Sequence, residues 1–502
     1  MNGLPLPGRS AWGAPLALFL YVAALFGGTA ILQPGLFERD GYYHAQLARL
    51  LPERGFSRSF PWTQLSTWKD GYCDKEILYH LAMAPFAWIG DEPILGARIF
   101  SVLLALAVVA TLHWLLRVQG VPWPTWFAAL PLATGGLFLA RLGMIRSHVL
   151  SMVLLLLGMR LLLQRRWRAV AVLGFLYAWC YTMPFVLLFT AVPFAVGRWL
   201  GRGGLDWRSV GAAGMGSFAG LVLHPYSPLT LETFFTIVQI FRMGVEGAGR
   251  SGFELGNEIY PYPPAVFFDI YPLIVLLVPV VVLAVAARWR RVTADTRGVV
   301  LAMIFWAAMT SVAARFVEYL ALLLAVAAGM VVRDLVRSAD PLPRWAPRGR
   351  RWALAGAVAA LTLLAGFHAR SLSFYRVYQF QFAPARFFDG ASAWMESHLA
   401  PGETVVNLFW DDFPDLFYSA PRQHYLWGID PTFSIRFDLE RSRLLERFRQ
   451  RRAPISGPIL REAFQSSHLV LRASRAGAFP ELRRAPFREV YRDGTAVIYR
   501  ID

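Results

Sequence analysis

The sequence predicts an all-α polytopic membrane domain followed by a small external α/β domain. Of its 502 residues, 56% are hydrophobic, and the mean hydropathy of +0.42 is too high for a soluble protein. Several apolar runs reach the length of about 20 residues that a membrane-spanning helix needs. From about Ser371 onward these runs give way to a mixed pattern typical of a soluble domain.

The apolar runs predict about eleven transmembrane helices. The stretch 169–200 is short for two spans, but arginine clusters lie on both sides of it. Cytoplasmic loops collect Lys and Arg, so the chain must cross an even number of times between these clusters, and Pro184 marks the predicted turn. The apolar stretch 78–89 is too short to span and predicts a helix on the outer surface. The predicted cores are 13–31, 95–116, 121–140, 149–163, a pair within 169–200, 210–224, 265–287, 298–313, 316–332 and 352–367.

The net charge of +17 comes mainly from arginines in short loops between apolar runs. This pattern indicates membrane topology and argues against nucleic-acid binding. It predicts a multi-pass protein of the cell inner membrane with a cytoplasmic N-terminus. The loops 32–94 and 225–264 of the membrane domain (1–370) then lie outside, as does the soluble domain (371–502), which is periplasmic or extracellular.

The C-terminal region has the pattern of a mixed domain. We expect helices over 385–399 and 439–451, and strands over 403–409 and His468–Arg472. Two further strands, 488–492 and 495–501, flank Asp493-Gly494, a pair typical of a hairpin turn. The two cysteines, Cys73 and Cys180, fall in a loop and in a membrane run, so neither a disulfide nor a metal site is indicated.

A polar segment, Asp40-Gly41-Tyr42-Tyr43-His44, follows the first apolar run. Such polar groups near a membrane mark a functional site. Alternatively, the segment is a solvated turn at the membrane interface, and its tyrosines belong to the aromatic belt found there. The segment resembles the first acidic motif of the GT-C membrane glycosyltransferases, and is most similar to that of the catalytic subunit of oligosaccharyltransferase. The resemblance implies that Asp40 is the catalytic carboxylate. We expect Tyr42, Tyr43 and His44 to contact the acceptor.

The fourth predicted helix begins near Arg146-Ser147-His148, where the same family has a second acidic motif that helps to bind a divalent metal. Here the acids are missing. One interpretation is that Arg146 neutralises a lipid-linked phosphate directly. Another is that His148 is a metal ligand. Both residues are alternatively anchors at the membrane interface.

The second outer loop contains Glu258, which resembles the loop glutamate that contacts metal and acceptor in this family. The resemblance therefore implies a second catalytic residue and a metal set of Asp40, Glu258 and His148 for Mg²⁺ or Mn²⁺. Because Arg146 and His148 replace the acids of the family's second motif, we expect the metal to be weakly bound or dispensable. A solvated loop acid is the alternative.

Arg315-Phe316-Val317-Glu318-Tyr319 precedes the tenth predicted helix, where the family has a similar Arg-Phe…Tyr. The resemblance implies that Arg315, with Arg146 and His148, binds the donor phosphate. Charges in a membrane run are costly unless they face polar surroundings, so Arg315 alternatively pairs with Glu318.

After a predicted strand, Phe409-Trp410-Asp411-Asp412-Phe413 resembles the family's Trp-Trp-Asp motif for acceptor recognition. Trp410 and Asp411 match and are expected to contact the acceptor. Phe409 replaces the first Trp, so recognition of a peptide sequon is not implied. Packing of the aromatic residue into the domain is the alternative.

The resemblance implies a glycosyltransferase that moves a sugar from a polyprenyl-phosphate-linked donor to an acceptor on the outer face. The acceptor is a protein, a lipid or a glycan. A non-catalytic lipid or solute transporter is the rival from another class, although the chain has no inverted repeat.

Overall fold

The computed structural model describes residues 13–247, 250, 252–338, 347–381 and 386–502. Contacts divide the chain into two compact units. The helical unit comprises the described residues of Met1–Leu32, Ser101–Gly220 and Pro261–Phe382. The mixed unit comprises those of Gln33–Phe100, Leu221–Tyr260 and Ala383–Asp502.

The helical unit is built almost entirely from apolar α-helices, with 3₁₀ turns at Leu130–Ala133, Trp289–Arg291 and Ala314–Phe316. Its helices are Gly13–Leu32, the part of Pro93–Val118 from Ser101 on, Pro124–Ala129, Gly136–Leu142, Ser147–Leu163, Trp167–Cys180, Val186–Leu200, most of Trp207–Val222, Pro264–Ile270, Pro272–Ala287, Ala294–Thr310, Val317–Ser338 and Pro347–Gln381.

Several of these helices have the length and composition of membrane spans, so the protein is a multi-pass membrane protein. Among the described residues, Gly13–Leu32, Pro93–Val118 and Ala314–Ser338 qualify singly, and counting two bent pairs as one span each gives five. Three shorter helices, between Ser147 and Leu200, are also apolar. Every predicted core overlaps a helix or a bent pair, with ends that differ in most cases by a few residues. About eleven crossings stays a prediction.

Two of the predicted continuous helices are wrong. The core predicted over 121–140 breaks into Pro124–Ala133 and Gly136–Leu142, which meet at 103°. The core predicted over 265–287 bends by 93° between Ile270 and Pro272. Proline lacks the amide hydrogen that a helix needs and disfavours helical dihedrals in the residue before it, which accounts for the second break.

The predicted boundary between the membrane domain and the soluble domain, at residue 371, is also wrong by several residues. The last membrane-type helix, Pro347–Gln381, continues through Ser371, whose side chain is buried and donates to the carbonyl of Ala133. A helix can extend beyond its apolar core when neighbouring residues pack against it. The change in composition therefore does not coincide with the end of the helix.

Glycines allow two helices of this unit to approach closely. A Cβ added at Gly197 would lie 2.6 Å from the carbonyl oxygen of Arg297, and one at Gly298 would lie 2.7 Å from that of Phe194. Small residues at facing positions are typical of helix packing in membranes. The helices Val186–Leu200 and Ala294–Thr310 pack together at this point.

The mixed unit contains short helices around a five-stranded sheet. The strands are β1 (Thr404–Asn407), β2 (His424–Tyr425), β3 (His468–Arg472), β4 (Phe487–Arg492) and β5 (Ala496–Ile501). The helices are Asp40–Arg54, Trp68–Gly71, Ile77–Met83, Leu229–Glu246, Asp389–His398, Phe413–Ser419, Pro431–Phe437, Leu439–Arg449, Gly457–Phe464 and Ala473–Ala476, with 3₁₀ turns at Asn257–Ile259, Trp410–Asp412 and Pro480–Arg483.

The strand order is β2-β1-β3-β5-β4, with β1 parallel to β2 and β3, and β5 antiparallel to β3 and β4. The predicted C-terminal hairpin is confirmed. Asp493 closes its turn by accepting hydrogen bonds from the amides of Thr495 and Ala496, each at 2.7 Å. The predicted strands and the helices near 389 and 439 are confirmed to within a few residues at their ends.

The first outer loop is part of the mixed unit. The amides of Gln64 and Leu65 donate to the carbonyls of Tyr425 and Leu426, both at 2.7 Å, and the Leu65 side chain lies in the core around the sheet. The surface helix predicted over 78–89 is shorter, Ile77–Met83, and buries Ile77, Tyr79, His80 and Met83. The loop is thus a packed element whose backbone extends the sheet edge.

Candidate functional site

Asp40 is the first residue of the helix Asp40–Arg54 and is partly exposed. Its amide donates to Glu38 Oε1 at 2.9 Å, and an acid in the first turn is favoured by the helix dipole. The preceding Arg39 donates from Nη1 to Asp415 Oδ1 at 3.0 Å and lies over the Phe387 ring. These contacts fix the beginning of the helix against the C-terminal region.

The three residues expected to contact the acceptor lie inside the mixed unit. The Tyr42 ring packs against Tyr418, and the Tyr43 hydroxyl is 2.9 Å from that of Tyr72. His44 is buried and lies 2.8 Å, Nδ1 to Nε2, from His80. Buried side chains of this kind hold the helix in place, which favours a positioning role for them over direct contact with an acceptor.

The structure brings a further acid, Asp430, near Asp40. Asp430 caps the helix Pro431–Phe437 by accepting from the Thr432 amide at 2.8 Å. The pKa of Asp430 is raised to about 6, chiefly by burial and to a smaller extent by the negative charge of Asp40, while Thr432 and the cation of Lys75 act in the opposite direction. In sequence, Asp430 is only a helix cap before proline, so motif comparison missed it.

Glu258 lies on the short 3₁₀ turn Asn257–Ile259 and is partly exposed. The flanking residues are anchored: Phe253, Leu255 and Ile259 are buried. Glu254 also pairs with Arg449 at 3.0 Å. The segment around Glu258 is therefore packed into the mixed unit, while the Glu258 side chain itself stays partly exposed.

Trp410 and Asp411 follow strand β1, as predicted, and they belong to the 3₁₀ turn Trp410–Asp412. Trp410 packs against the core of the mixed unit. Asp411 Oδ2 lies 2.6 Å from Arg475 Nη2 and 3.5 Å from Arg472, and Asp412 pairs with the same two arginines. Burial raises the pKa of Asp411, but the arginines outweigh it and hold the pKa below its usual value. The acid of this motif is thus engaged in a structural ion-pair cluster.

In the helical unit, two membrane-type helices place their N-termini side by side. His148, in the first turn of Ser147–Leu163, lies 3.9 Å from the carboxylate of Glu318, in the first turn of Val317–Ser338. In the same region, the Ser151 and Tyr319 hydroxyls are 2.7 Å apart. The two N-termini are therefore close together, and their positive dipole ends add.

An arginine stands at the beginning of each helix. Arg146 is the N-cap residue of Ser147–Leu163, and Arg315 lies in the 3₁₀ turn before Val317. Both are partly exposed. Arg315 Nη2 donates to the Tyr181 hydroxyl at 3.1 Å. The paired N-termini, defined here as the beginnings of these two helices with Arg146 and Arg315, form a positively charged locus.

A buried ion pair supports this locus. Arg141 Nε donates to Glu318 Oε2 at 2.8 Å, and His148 Nε2 lies 2.9 Å from the Arg141 carbonyl oxygen, so His148 donates there. Glu318 is thus paired with Arg141, which lies 177 residues earlier. The sequence suggested only Arg315 as a partner for Glu318.

These contacts bear on the expected Mg²⁺ or Mn²⁺. His148 is buried, and its Nε2 donates a hydrogen bond to a carbonyl, so this nitrogen has no lone pair for a metal. The position also lies beside arginines, which repel a cation. His148 does not fit the role of ligand through this atom, and Asp40 with Glu258 supplies fewer oxygen ligands than such ions prefer. The metal set stays a prediction.

No protein-family model matches the sequence, and no curated protein sequence matches it significantly. Solved structures do match in fold. The oligosaccharyltransferase of Archaeoglobus fulgidus in the apo form superposes with a TM-score of 0.62 at 12% identity, over 92% of this chain and 70% of that chain. ArnT from Cupriavidus metallidurans bound to undecaprenyl phosphate gives a TM-score of 0.57 at 13% identity, over 98% of both chains.

The arabinofuranosyltransferase AftD from Mycobacteria gives a TM-score of 0.57 at 16% identity, over 97% of this chain and 40% of that chain. At these identities the comparisons establish the fold. All three proteins are GT-C glycosyltransferases. The chain therefore has the fold of the GT-C membrane glycosyltransferases, similar to that of oligosaccharyltransferase.

Proposed function

We propose that this protein is an inner-membrane glycosyltransferase that moves a sugar from a polyprenyl-phosphate-linked donor to an acceptor on the outer face. The paired N-termini with Arg146 and Arg315 are the observation that carries the proposal. An arginine at a helix N-terminus is repelled by the helix dipole, whereas a phosphate there is attracted by both. A bound phosphate would relieve this repulsion at two helices at once.

The fold comparisons support a donor of this class. One matched structure is bound to undecaprenyl phosphate, which is a polyprenyl phosphate, and another is tethered to an acceptor peptide. The guanidinium group suits phosphate because its planar donors match two phosphate oxygens. Arg146 and Arg315 would therefore bind the donor phosphate, and the buried Arg141–Glu318 pair would position the helix ends.

In the proposed reaction, Asp40 removes a proton from the acceptor nucleophile or orients it. The nucleophile forms a bond to the anomeric carbon of the sugar as the bond from that carbon to the phosphate oxygen breaks. The leaving phosphate takes the electron pair, and Arg146 and Arg315 stabilise its charge. Glu258 and Asp430 would lie with Asp40 among the acids that bind the acceptor. No step is assigned to a divalent cation.

The ion pairs of Asp411 favour a lipid or glycan acceptor over a peptide. Its carboxylate is engaged by Arg475 and Arg472, so it is not available to a peptide hydroxyl without breaking this cluster. A stacked sugar or lipid head group would need only the partly exposed face of Trp410. This is a second candidate within the same reaction class.

The test is transfer of labelled sugar from extracted lipid-linked donors by the purified full-length protein. Arg146→Ala and Arg315→Ala should each lower the rate about 100-fold or more, as expected for loss of a group that stabilises a leaving charge. Arg168→Ala is the matched control, because Arg168 is an exposed arginine in the first turn of the helix Trp167–Cys180. Equal rates in all three variants would contradict the proposal, and donor binding without transfer would favour a transporter.

A further inference from the structure

Two histidines and a glutamate converge in the interior of the mixed unit. His44 comes from the helix Asp40–Arg54, whereas Glu76 and His80 come from the segment that forms the helix Ile77–Met83. One ligand atom from each lies within 4.8 Å of the other two. Their exposed fractions are 5%, 6% and 1%, so the cluster is shielded from solvent. Among the residues that the structure describes, this is the one group with such an arrangement.

The hydrogen bonds show where the lone pairs point. His80 Nδ1 lies 2.8 and 2.9 Å from the two oxygens of Asp74, so it donates its proton to this carboxylate. The lone pair of neutral His80 is then on Nε2, which faces His44 Nδ1 at 2.8 Å. Glu76 Oε2 lies 3.9 Å from the same His44 nitrogen. His44 Nδ1 and His80 Nε2 thus share a single proton, and the Glu76 carboxylate lies beside them.

A carboxylate that holds the far nitrogen of a histidine is the usual second shell of a metal-binding histidine. Asp74 is buried, and its Oδ1 also accepts from the Glu76 amide at 3.1 Å. It therefore fixes both the ring of His80 and the backbone of Glu76. Asp74 thus holds two of the three potential ligands in place.

We propose that His44, Glu76 and His80 bind a divalent transition metal of the zinc class. Two imidazoles and one carboxylate are a ligand set that suits Zn²⁺. The ion would replace the proton shared by the histidines and release it to solvent. With zinc–nitrogen bonds of about 2.0–2.1 Å in tetrahedral geometry, the two nitrogens need a separation of about 3.3 Å, so the rings must move apart only slightly.

The site would link two segments that are distant from each other in sequence. Helix Asp40–Arg54 carries the proposed catalytic carboxylate at its first residue, and His44 is one helical turn further on. Glu76 and His80 belong to the first outer loop. A metal there would therefore fix the Asp40 helix to this loop, in a structural role that is separate from the metal set of Asp40, Glu258 and His148.

The experiment measures metal bound to the full-length protein, purified in detergent through an affinity tag that contains no histidine. After incubation with Zn²⁺ and removal of the excess, wild type should retain about one zinc per chain. His44→Gln, Glu76→Gln and His80→Gln should each lose at least 90% of it. Asp74→Asn should weaken the affinity roughly 10- to 100-fold.

Two controls define the site. His398→Gln alters an exposed histidine of the mixed unit and should retain the zinc. Asp40→Asn should retain it too, whereas loss in Asp40→Asn with retention in His80→Gln would assign the metal to the other set and overturn the proposal. Wild type that retains no zinc would also overturn it.

A second measurement does not depend on the variants being folded. Chelator-treated wild type is titrated with Co²⁺, which gives visible absorption bands in a tetrahedral site, and its thermal midpoint is measured with and without Zn²⁺. Bands and a raised midpoint are expected, because an ion that binds only the folded state stabilises it. Absence of both would contradict the proposal. Because these readouts do not involve transfer, they are independent of the proposed function.

Discussion

Asp430 and Asp40 are coupled carboxylates within the mixed unit. The pKa of Asp430 is raised to about 6, chiefly by burial, and the charge of Asp40 contributes to this increase. The coupling is mutual, because ionised Asp430 must likewise favour the protonated form of Asp40. Asp430 therefore makes Asp40 a stronger base at pH values at which both are ionised.

This coupling predicts the acid limb of the pH–rate profile. As the pH falls through about 6, Asp430 takes up a proton, Asp40 loses its charged neighbour and becomes a weaker base, and transfer should slow. Asp430→Asn removes this titration, so its rate should be lower near pH 7.5 and should change less between pH 7.5 and 5.5 than that of wild type.

The profile of kcat for transfer between pH 5 and 8 checks this prediction, with Asp438→Asn as the control. Asp438 also caps a helix, by accepting from the Arg441 amide at 2.9 Å. An Asp430→Asn profile that coincides with wild type would show that the residue plays no part in the reaction.

At the residue scale, the sequence indicated where individual site residues lie better than it indicated which residues they contact. The location of Asp40 after the first membrane helix and that of Arg315 before the tenth follow from local pattern, whereas the helix Asp40–Arg54 was not predicted. The burial of Tyr43 and the pairing of His44 with His80 do not, because they depend on where a loop packs. Asp430 has no motif, so only the folded chain identifies it.

At the scale of elements, we expect the buried Arg141–Glu318 ion pair to support the paired N-termini. Arg141 belongs to the helix Gly136–Leu142 and Glu318 to Val317–Ser338, so the pair links two helices. Removal of one partner leaves a buried charge without compensation, which costs about 3–5 kcal/mol. Replacement of both by apolar residues of similar size is much less costly.

Arg141→Met should therefore lower the thermal midpoint of the purified protein strongly, and the double variant Arg141→Met/Glu318→Leu should recover most of the loss. Arg370→Ala, which breaks an exposed pair with Asp269, should cost less than about 1 kcal/mol. Differential scanning fluorimetry in detergent measures all three. A single variant as stable as the Arg370→Ala control would refute a supporting role for the pair.

Hydrophobic runs located the membrane-type helices, but not their bends. The breaks at 124–142 and at 270–272 involve prolines and glycines within apolar stretches, which hydropathy averages over. The same limitation applies to the first outer loop. Its strand-like pairing of Gln64 with Tyr425 joins segments 361 residues apart in sequence, and no local pattern indicates it.

At the scale of the whole molecule, the arginine clusters predict that the C-terminal domain is outside and that the residues between 333 and 351 are cytoplasmic. Alkaline phosphatase fused after Asp502 should be active, and the same enzyme inserted between residues 341 and 342 should be inactive. Green fluorescent protein should give the opposite result at both positions. Fluorescence only after Asp502 would reverse the predicted topology.

The central claim is that Asp40 acts on an acceptor while a polyprenyl phosphate leaves. The most direct test is the rate of sugar transfer from lipid-linked donor by purified Asp40→Ala, beside Asp70→Ala, an exposed acid of the same loop region. We predict that Asp40→Ala lowers the rate at least about 100-fold while its thermal midpoint stays near wild type, and that Asp70→Ala is unaffected. An Asp40→Ala rate within a few-fold of wild type, at equal expression, would contradict the proposed reaction.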